Sequence, residues 1–510
     1  MLSKATHLGI VILMILALFS CRSRKDFIER QASKSYKAEY IPKKHEMRAA
    51  WLPTVFRSEY AQMTPEQMKA DFVRKLDQLQ SIGFNTIIFQ IRPESDAWYR
   101  SDLEPWSRFL TGVQGNAPQP EWDPMAFLIE ECHKRCMEFH AWINPYRAAT
   151  GANNQLSYLH PYHRHPTWFL KYNNQLLYNP GLEECREYIC LVVGDIVRRY
   201  DIDAIHMDDY FYPYPVAGVP FPDAETFRRH PRGFSDINEW RRDNVNKLIE
   251  EIKATIDAHK PHVRFGISPF GIYRNQKNWS KGSRTNGLQN YDELFADVLL
   301  WDKMGWVDYI MPQLYWEMGH KAADYTELAY WWQKHLTKAH YYIGQSVERT
   351  MKVNELHPKL VIAHDTSHGV AMWPADEIFK DFKGIVRQLR DVYWSHPALT
   401  PSYEGISLGA HRPEPVQSVW IEKEEDGRYL KWRTPLYEGG AETKYYVVYA
   451  YDRSRRDTNG ASPEDIVAIT QHPFYKLPVL NGKTKVSYFV TQVNRYNAES
   501  PMSKRVKAVI

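Results

Sequence analysis

Apolar residues follow two alternating patterns over the first four hundred positions of this chain. Short unbroken runs read as strands buried on both faces, and stretches with apolar residues every three or four positions read as helices. MRAAWLP at Met47 to Pro53 is the first run, followed by a helix from Thr64 to Ile82 with Met68, Phe72, Leu76 and Leu79 at helical spacing. TIIFQIRP at Thr86 to Pro93 is the second strand, and a further helix leads to FHAWINP at Phe139 to Pro145. A helix from Leu182 to Tyr200, opened by Asn179-Pro180-Gly181, precedes a fourth strand that runs into AIHMDDYFYP at Ala204 to Pro213. A long helix, Asn238 to His259, leads to the fifth strand at Arg264 to Gly271. The sixth spans Tyr309 to Trp316, the seventh lies near Tyr341 to Gln345 and the eighth near Gly369 to Trp373. Eight strand-then-helix repeats without a glycine-rich dinucleotide fingerprint predict an α/β fold, a (β/α)₈ TIM barrel. An open doubly wound sheet is the alternative, and in either fold ligands meet the carboxyl ends of the strands.

After Pro401 the period changes. Short alternating strands at Tyr429 to Thr434, Lys444 to Tyr451 and Lys485 to Asn494 are separated by Gly, Asn and Pro turns. With Trp432 in an early strand, they predict a C-terminal fibronectin type III-like β-sandwich. The expected division is a barrel over residues 45–405 and a sandwich over 413–510.

The N-terminus changes the setting. Lys4 and the apolar run Gly9 to Phe19 make residues 1–20 a signal peptide, too short to span a bilayer comfortably. Leu18-Phe19-Ser20-Cys21 resembles a bacterial lipobox, so Cys21 is the expected lipidation site; an ordinary secretory signal with a chance cysteine is the alternative. Residues 21–44 are rich in Lys, Arg and Ser and read as a tether. The expected location is the cell envelope, on a lipid anchor in the outer membrane of a Gram-negative bacterium.

Composition narrows the chemistry. The net charge of +4 over 510 residues, with basic and acidic residues interleaved, does not point to nucleic acid. Cys132, Cys136, Cys185 and Cys190 have spacings unsuited to zinc and read as buried thiols, with a long-range disulfide as the alternative. No cofactor and no metal are expected. Aromatic residues reach 14%, with 17 Trp and 33 Tyr, more than one core ordinarily needs, so some are expected to line a groove.

The carboxyl ends of the predicted strands supply the candidate site. Strand two brings Gln90, Arg92, Glu94 and Asp96; strand three brings Trp142, Asn144, Tyr146 and Arg147; strand four brings His206, Asp208, Asp209 and Tyr210. Strand five adds Ser268 and Phe270, and strand six adds Gln313, Tyr315, Trp316 and Glu317. Carboxylates beside aromatic rings suit glycosidic bond cleavage, in which one carboxyl protonates the leaving oxygen and another acts as base or nucleophile. Rings pack on the C–H faces of sugars. Asp208 and Asp209 could also be helix or loop caps, and Arg92 and Arg147 could be ion-pair partners of a carboxylate. Strand alternation places Asp208 with His206 on one face, making Asp208 the central carboxylate. Asp209 could contact substrate or be the partner acid. Asp96 and Glu317 are further candidates for that partner, Glu317 because packing on Trp316 would desolvate it. Gln90, Arg92, Trp142, Asn144, Tyr146, Arg147, His206, Tyr210, Gln313, Tyr315 and Trp316 are the expected substrate contacts.

Six ordered motifs carry a resemblance. QIRPESDAWY (Gln90 to Tyr99), WINPYR (Trp142 to Arg147), YNPGLEECREYI (Tyr178 to Ile189), DAIHMDDYFYP (Asp203 to Pro213), ISPFGIYRN (Ile267 to Asn275) and IMPQLYW (Ile310 to Trp316) resemble the glycosyl-hydrolase-like family ten. The resemblance covers roughly Met47 to Pro401. It implies a TIM-barrel glycoside hydrolase, of a kind that acts on peptidoglycan strands stripped of their stem peptides. It also implies that Asp96, Asn144, Arg147, His206, Asp208, Asp209, Gln313 and Tyr315 sit at the site. Ser95 departs from the family pattern, in which glycine is common at that position. Two other functions remain open at this point: a lipid-anchored glycan-binding protein without turnover, and a metal-dependent carbohydrate deacetylase using His206, Asp208 and Asp209.

Overall fold

The computed structural model describes residues 40–405, 412–436, 442–452, 461–480 and 484–510. The expected signal peptide, Cys21 and most of the expected tether lie outside them. The tether's last five residues, 40–44, are docked: Tyr40 packs edge-on against His364 and Tyr393, and Lys44 pairs with Glu499 at 2.7 Å.

Eight parallel strands form the barrel: β1 (Met47–Leu52), β2 (Thr86–Arg92), β3 (Glu138–Ile143), β4 (Ala204–Met207), β5 (Arg264–Ile267), β6 (Tyr309–Ile310), β7 (His340–Tyr341 continuing as Ile343–Ser346) and β8 (Gly369–Trp373). Each pairs with the next, β7 through its first half to β6 and through its second half to β8. β8 returns to β1, with Met47 opposite Gly369 and Ala50 opposite Met372. That pairing closes the barrel and rules out the open sheet. Helices on the outside include Pro65–Ile82, Pro124–Lys134, Glu183–Arg199, Ile237–His259, Tyr325–His335 and Leu356–Thr366. The first starts at Thr64, whose side chain accepts from the Gln67 N–H in a reciprocal capping box, and ends at Gly83 with φ 106°.

Alternation along β1 separates two cores. Met47, Ala49 and Trp51 face the barrel interior, while Ala50 and Leu52 face the helix layer. Gly266 leaves room for the Tyr309 ring to cross the interior, because a Cβ there would meet that ring at 1.8 Å. Strands five and six stop earlier than the sequence pattern predicts, at Ile267 and Ile310. Pro269 and Pro312 lack the N–H that continues a ladder, and isolated bridges from Gln313 to Phe270 and to Gly344 persist beyond them. Strand four ends at Met207, so Asp208 and Asp209 leave it together.

The C-terminal strands β9 (Ser418–Glu424), β10 (Gly427–Arg433), β11 (Thr443–Asp452), β12 (Ile466–Thr470), β13 (Phe474–Lys476), β14 (Lys485–Asn494) and β15 (Val506–Val509) form two antiparallel sheets, ordered β9-β10-β13 and β12-β11-β14-β15. Leu430 and Trp432 of one meet Tyr446, Val448, Tyr488 and Val490 of the other, a sandwich core. Tyr445, Val447, Tyr449 and Phe489 on the opposite face pack with Leu399.

That face covers the amino ends of the barrel strands, and a buried ionic knot joins the two. Glu138 is paired with Arg264 at 2.7 Å and with Lys444 of the sandwich at 2.7 Å, and Lys444 reaches Asp203 at 2.7 Å. Asn497 donates to Glu138 at 2.8 Å. Burial alone would raise the Glu138 carboxyl; the Arg264 and Lys444 cations overrule it and hold it well below the usual carboxylate range. The four thiols Cys132, Cys136, Cys185 and Cys190 are free, two buried and two half-buried.

Lys444→Met would leave Glu138 and Asp203 without their shared cation, and removing one partner of a buried pair costs about 3–5 kcal/mol. Lys134→Met, at an exposed pair, should change stability far less. Chemical denaturation checks both; equal effects would refute the knot's role.

Candidate active site

A cleft of about 270 Å³ opens at the carboxyl ends of the barrel strands, and Asp208 and Asp209 are the carboxylates that line it. A larger cavity of about 340 Å³ lies between the barrel base and the sandwich, around Arg135, Trp394 and Tyr445, and no carboxylate lines it. In this architecture the carboxyl ends of the strands are where the chemistry sits.

Asp208 is held by a relay of amides. The Gln90 side-chain carbonyl accepts from the backbone N–H groups of Thr54 and Val55, both at 2.9 Å, so its amide N–H₂ points at Asn144 and donates at 2.7 Å. Asn144 must then present its own N–H₂ to Asp208, at 2.7 and 2.9 Å. Trp142 Nε1 donates at 3.1 Å and the Tyr210 N–H at 3.3 Å. Every one of these partners is a donor, which suits an ionised carboxylate. Burial raises the Asp208 carboxyl, and nearby Arg147 and the donors work against that rise.

Asp209 has a different setting. Gln313 Nε2 donates to its Oδ1 at 3.1 Å, and that amide is fixed by a second bond to the Ser268 carbonyl at 3.1 Å. Oδ2 is hydrogen-bonded to the Tyr214 hydroxyl. Burial, then the Asp208 charge, pushes Asp209 up to about 7. The two acids titrate as a pair, and Asp209, with fewer donors around it, is the member that protonates more readily.

Aromatic rings build the walls. Trp51, Trp142 and Trp373 meet edge to face, with Trp373 6.3 Å from Trp51 and 6.1 Å from Trp142. Tyr210 and Tyr214 stack at 5.6 Å, and the Arg147 guanidinium lies 5.2 Å over Tyr210. Phe56 stands at the rim, 70% exposed, on a left-handed backbone with φ 61°. So bulky a residue is uncommon on a left-handed backbone.

Of the residues expected at the site, Gln90, Trp142, Arg147, Asp208, Asp209, Tyr210, Gln313 and Tyr315 line the cleft. Asn144 and His206 are fully buried behind it. His206 Nε2 accepts from Trp51 Nε1 at 3.2 Å, so its Nδ1 carries the proton and donates to the Tyr309 hydroxyl at 2.9 Å. Both ring nitrogens are committed, which removes His206 as a ligand for the deacetylase reading. Burial, then His140, holds it well below the usual imidazole range, hence neutral.

Five expected contacts lie elsewhere. Glu317 is exposed in the turn after the Pro312 break, so it is not desolvated against Trp316. Trp316 packs on Phe270 instead, at 5.3 Å. Asp96 is buried in its own loop, accepting from the Glu94 N–H at 3.1 Å and Gln114 at 3.3 Å; burial, then Glu94, pushes it up to about 7. Arg92 pairs with Glu104 at 2.6 Å and donates to the Asn144 carbonyl at 2.6 Å, buttressing the end of β3. Tyr146 is buried in the layer beneath the helices. Ser95 adopts φ 53°, the left-handed conformation for which glycine is the usual choice, and its hydroxyl bonds Arg92 and Tyr178 at 2.9 and 3.0 Å. Trp51, Phe56, Tyr214, Ser268 and Trp373 line the cleft without having been singled out as contacts.

A model of the glycosyl hydrolase-like 10 family matches residues 46–362, well over half of the chain and nearly all of the barrel. The chain belongs to that family. Glycosyl hydrolase YngK of Bacillus subtilis (strain 168) is 37% identical over 489 residues, covering 90% of this chain and 93% of that protein. Glycosyl hydrolase DigH of Escherichia coli (strain K12) is 33% identical over 378 residues, covering 69% and 85%. Membership in glycosyl hydrolase-like 10 makes this an enzyme of the glycoside hydrolase class. Among solved structures, α-L-fucosidase isoenzyme 2 from Paenibacillus thiaminolyticus is 11% identical with a TM-score of 0.44, covering 78% of this chain and 55% of that one. The endo-β-1,4-mannanase from Thermotoga petrophila is 9% identical with a TM-score of 0.41, covering 91% and 97%.

The raised Asp209 carboxyl has a consequence for stability. Its folded value lies above the unfolded one of about 4, so its contribution is present below pH 4 and is lost as pH rises through about 7. Asp209→Asn should therefore be more stable than the parent at pH 8, by on the order of 1–4 kcal/mol, with the gain shrinking toward pH 4. Denaturation at both pH values tests this; a gain independent of pH would contradict it.

Proposed function

We propose that the chain hydrolyses glycosidic bonds in an envelope polysaccharide, peptide-free peptidoglycan strands being the best candidate, with Asp209 as general acid and Asp208 as its anionic partner. The observation that carries this is the pair itself: two adjacent buried carboxyls in an aromatic cleft, one surrounded by donors and one pushed up to about 7. An acid with that value still holds its proton near neutral pH and releases it readily, the balance that general acid catalysis needs. Phe56, 70% exposed at the rim, offers a face on which a sugar ring can stack. The glycan assignment is supported by the family resemblance. The lipobox-like Leu18 to Cys21 supports an anchor in the cell envelope, at the outer membrane of a Gram-negative cell, with the polymer within reach.

Mass spectrometry of peptide-free strands incubated with the protein should show new saccharide fragments. Asp208→Asn should lower the rate by on the order of 10²-fold or more, as expected when a charge that stabilises the transition state is removed. Intact strands with the parent protein would overturn the glycan assignment. Phe56→Ala should raise KM by about 3- to 10-fold with kcat little changed, since one stacked ring is worth about 0.5–1.5 kcal/mol; an unchanged KM would remove Phe56 from substrate binding.

A further inference from the structure

We infer that the nucleophile in this cleft comes from the substrate: the carbonyl oxygen of the 2-acetamido group on the sugar being cleaved attacks its own anomeric carbon. This rests on the glycosidase reading above and adds the source of the attacking atom.

The placement of the acids leads to it. The usual two-carboxylate mechanisms set one acid on each side of the scissile bond, about 5–5.5 Å apart for retention and 6.5–9.5 Å for inversion. Here both cleft acids are consecutive residues on the turn after β4. No third acid is among the described residues lining the cleft. Asp96 is enclosed in its own loop and Glu317 is outside the cleft. With Asp209 holding the proton, the remaining protein carboxylate is Asp208, already bound by Asn144, Trp142 and the Tyr210 N–H. A carboxylate so tightly solvated by fixed donors is a weak nucleophile and a good counter-charge.

Two further features fit an acetamido group. The three indoles that meet beside Asp208 form an apolar corner suited to a methyl group, and Trp142 supplies both a wall of that corner and a bond to Asp208. Ser268 lines the cleft and is 1% exposed, and its hydroxyl has no hydrogen-bond partner among the described residues. Buried hydroxyls are ordinarily satisfied, so this one is available to a polar group of the ligand.

The steps balance. Asp209 gives its proton to the glycosidic oxygen, the C1–O bond breaks, and the leaving sugar departs as an alcohol. The acetamido oxygen bonds C1, closing an oxazolinium ring whose N–H faces the Asp208 carboxylate. Asp209, now ionised, takes a proton from water. The resulting hydroxide bonds C1, the ring C1–O bond opens, and the acetamide is restored with retained anomeric configuration.

The test uses three glycan preparations: N-acetylated peptide-free strands, the same strands N-deacetylated, and strands re-acylated with fluoroacetyl groups. The expected result is cleavage of the first, a rate lower by on the order of 10³-fold or more on the second, the scale of losing an intramolecular nucleophile, and kcat falling with each added fluorine. A stable thiazoline analogue of the cyclic intermediate should inhibit competitively. Equal rates on acetylated and deacetylated strands, or insensitivity to fluorination, would place the nucleophile in the protein and overturn this inference while leaving the glycosidase reading standing. Cleavage of none of the three would overturn both.

Discussion

Two carboxyl groups on consecutive residues, buried in one cleft, resist being charged together, and the site is organised around that constraint. Each tenfold change in the pair's proton affinity is about 1.4 kcal/mol of difference between its protonation states. The protein resolves the conflict asymmetrically. Donors converge on Asp208, where Gln90 and Asn144 are locked in orientation by bonds that begin at the backbone of β1's following loop. Asp209 receives one amide donor and a phenol, and it keeps the proton. The division into anion and acid follows from which side the donors approach.

The barrel interior carries the same theme to its base. Trp51 donates to His206, His206 to Tyr309, Tyr309 to the Nδ1 of His140 at 2.9 Å, and His140 Nε2 to Glu138 at 3.0 Å. Each donor in the column fixes the tautomer of the next group. The column ends on a carboxylate neutralised by Arg264 and by Lys444 of the sandwich. Gly266 makes room for the central tyrosine. The sandwich thus closes the end of the barrel where charge balance serves stability, and the opposite end holds the chemistry, the division expected of this architecture.

Much of the barrel was legible in the sequence because strands buried on both faces are unbroken apolar runs. The errors were local: Pro269 and Pro312 cut short strands that hydrophobicity alone would extend. At the site, the strand-end rule brought out Asp208, Asp209, Gln90, Trp142, Arg147, Gln313 and Tyr315, since a strand's last residues must face the mouth. Alternation does not govern the acid pair, because β4 ends at Met207 and both acids reach the cleft from the turn after it. Asp96 and Glu317 lie in loops, where no period fixes direction. Trp51 and Trp373 obey the strand-end rule at β1 and β8 yet look like core in sequence. Phe56 and Tyr214 belong to loops whose course only the folded chain defines.

The account's central claim is that Asp209 holds a proton at neutral pH beside an ionised Asp208. Difference infrared spectroscopy of the carboxyl stretch, recorded for the parent protein against Asp209→Asn from pH 4 to 9, tests it directly. The account predicts a protonated-carboxyl band that persists to near pH 7, fades above it and is missing from the variant. A band lost by about pH 4, the ordinary aspartate range, or one retained unchanged in Asp209→Asn, would contradict it.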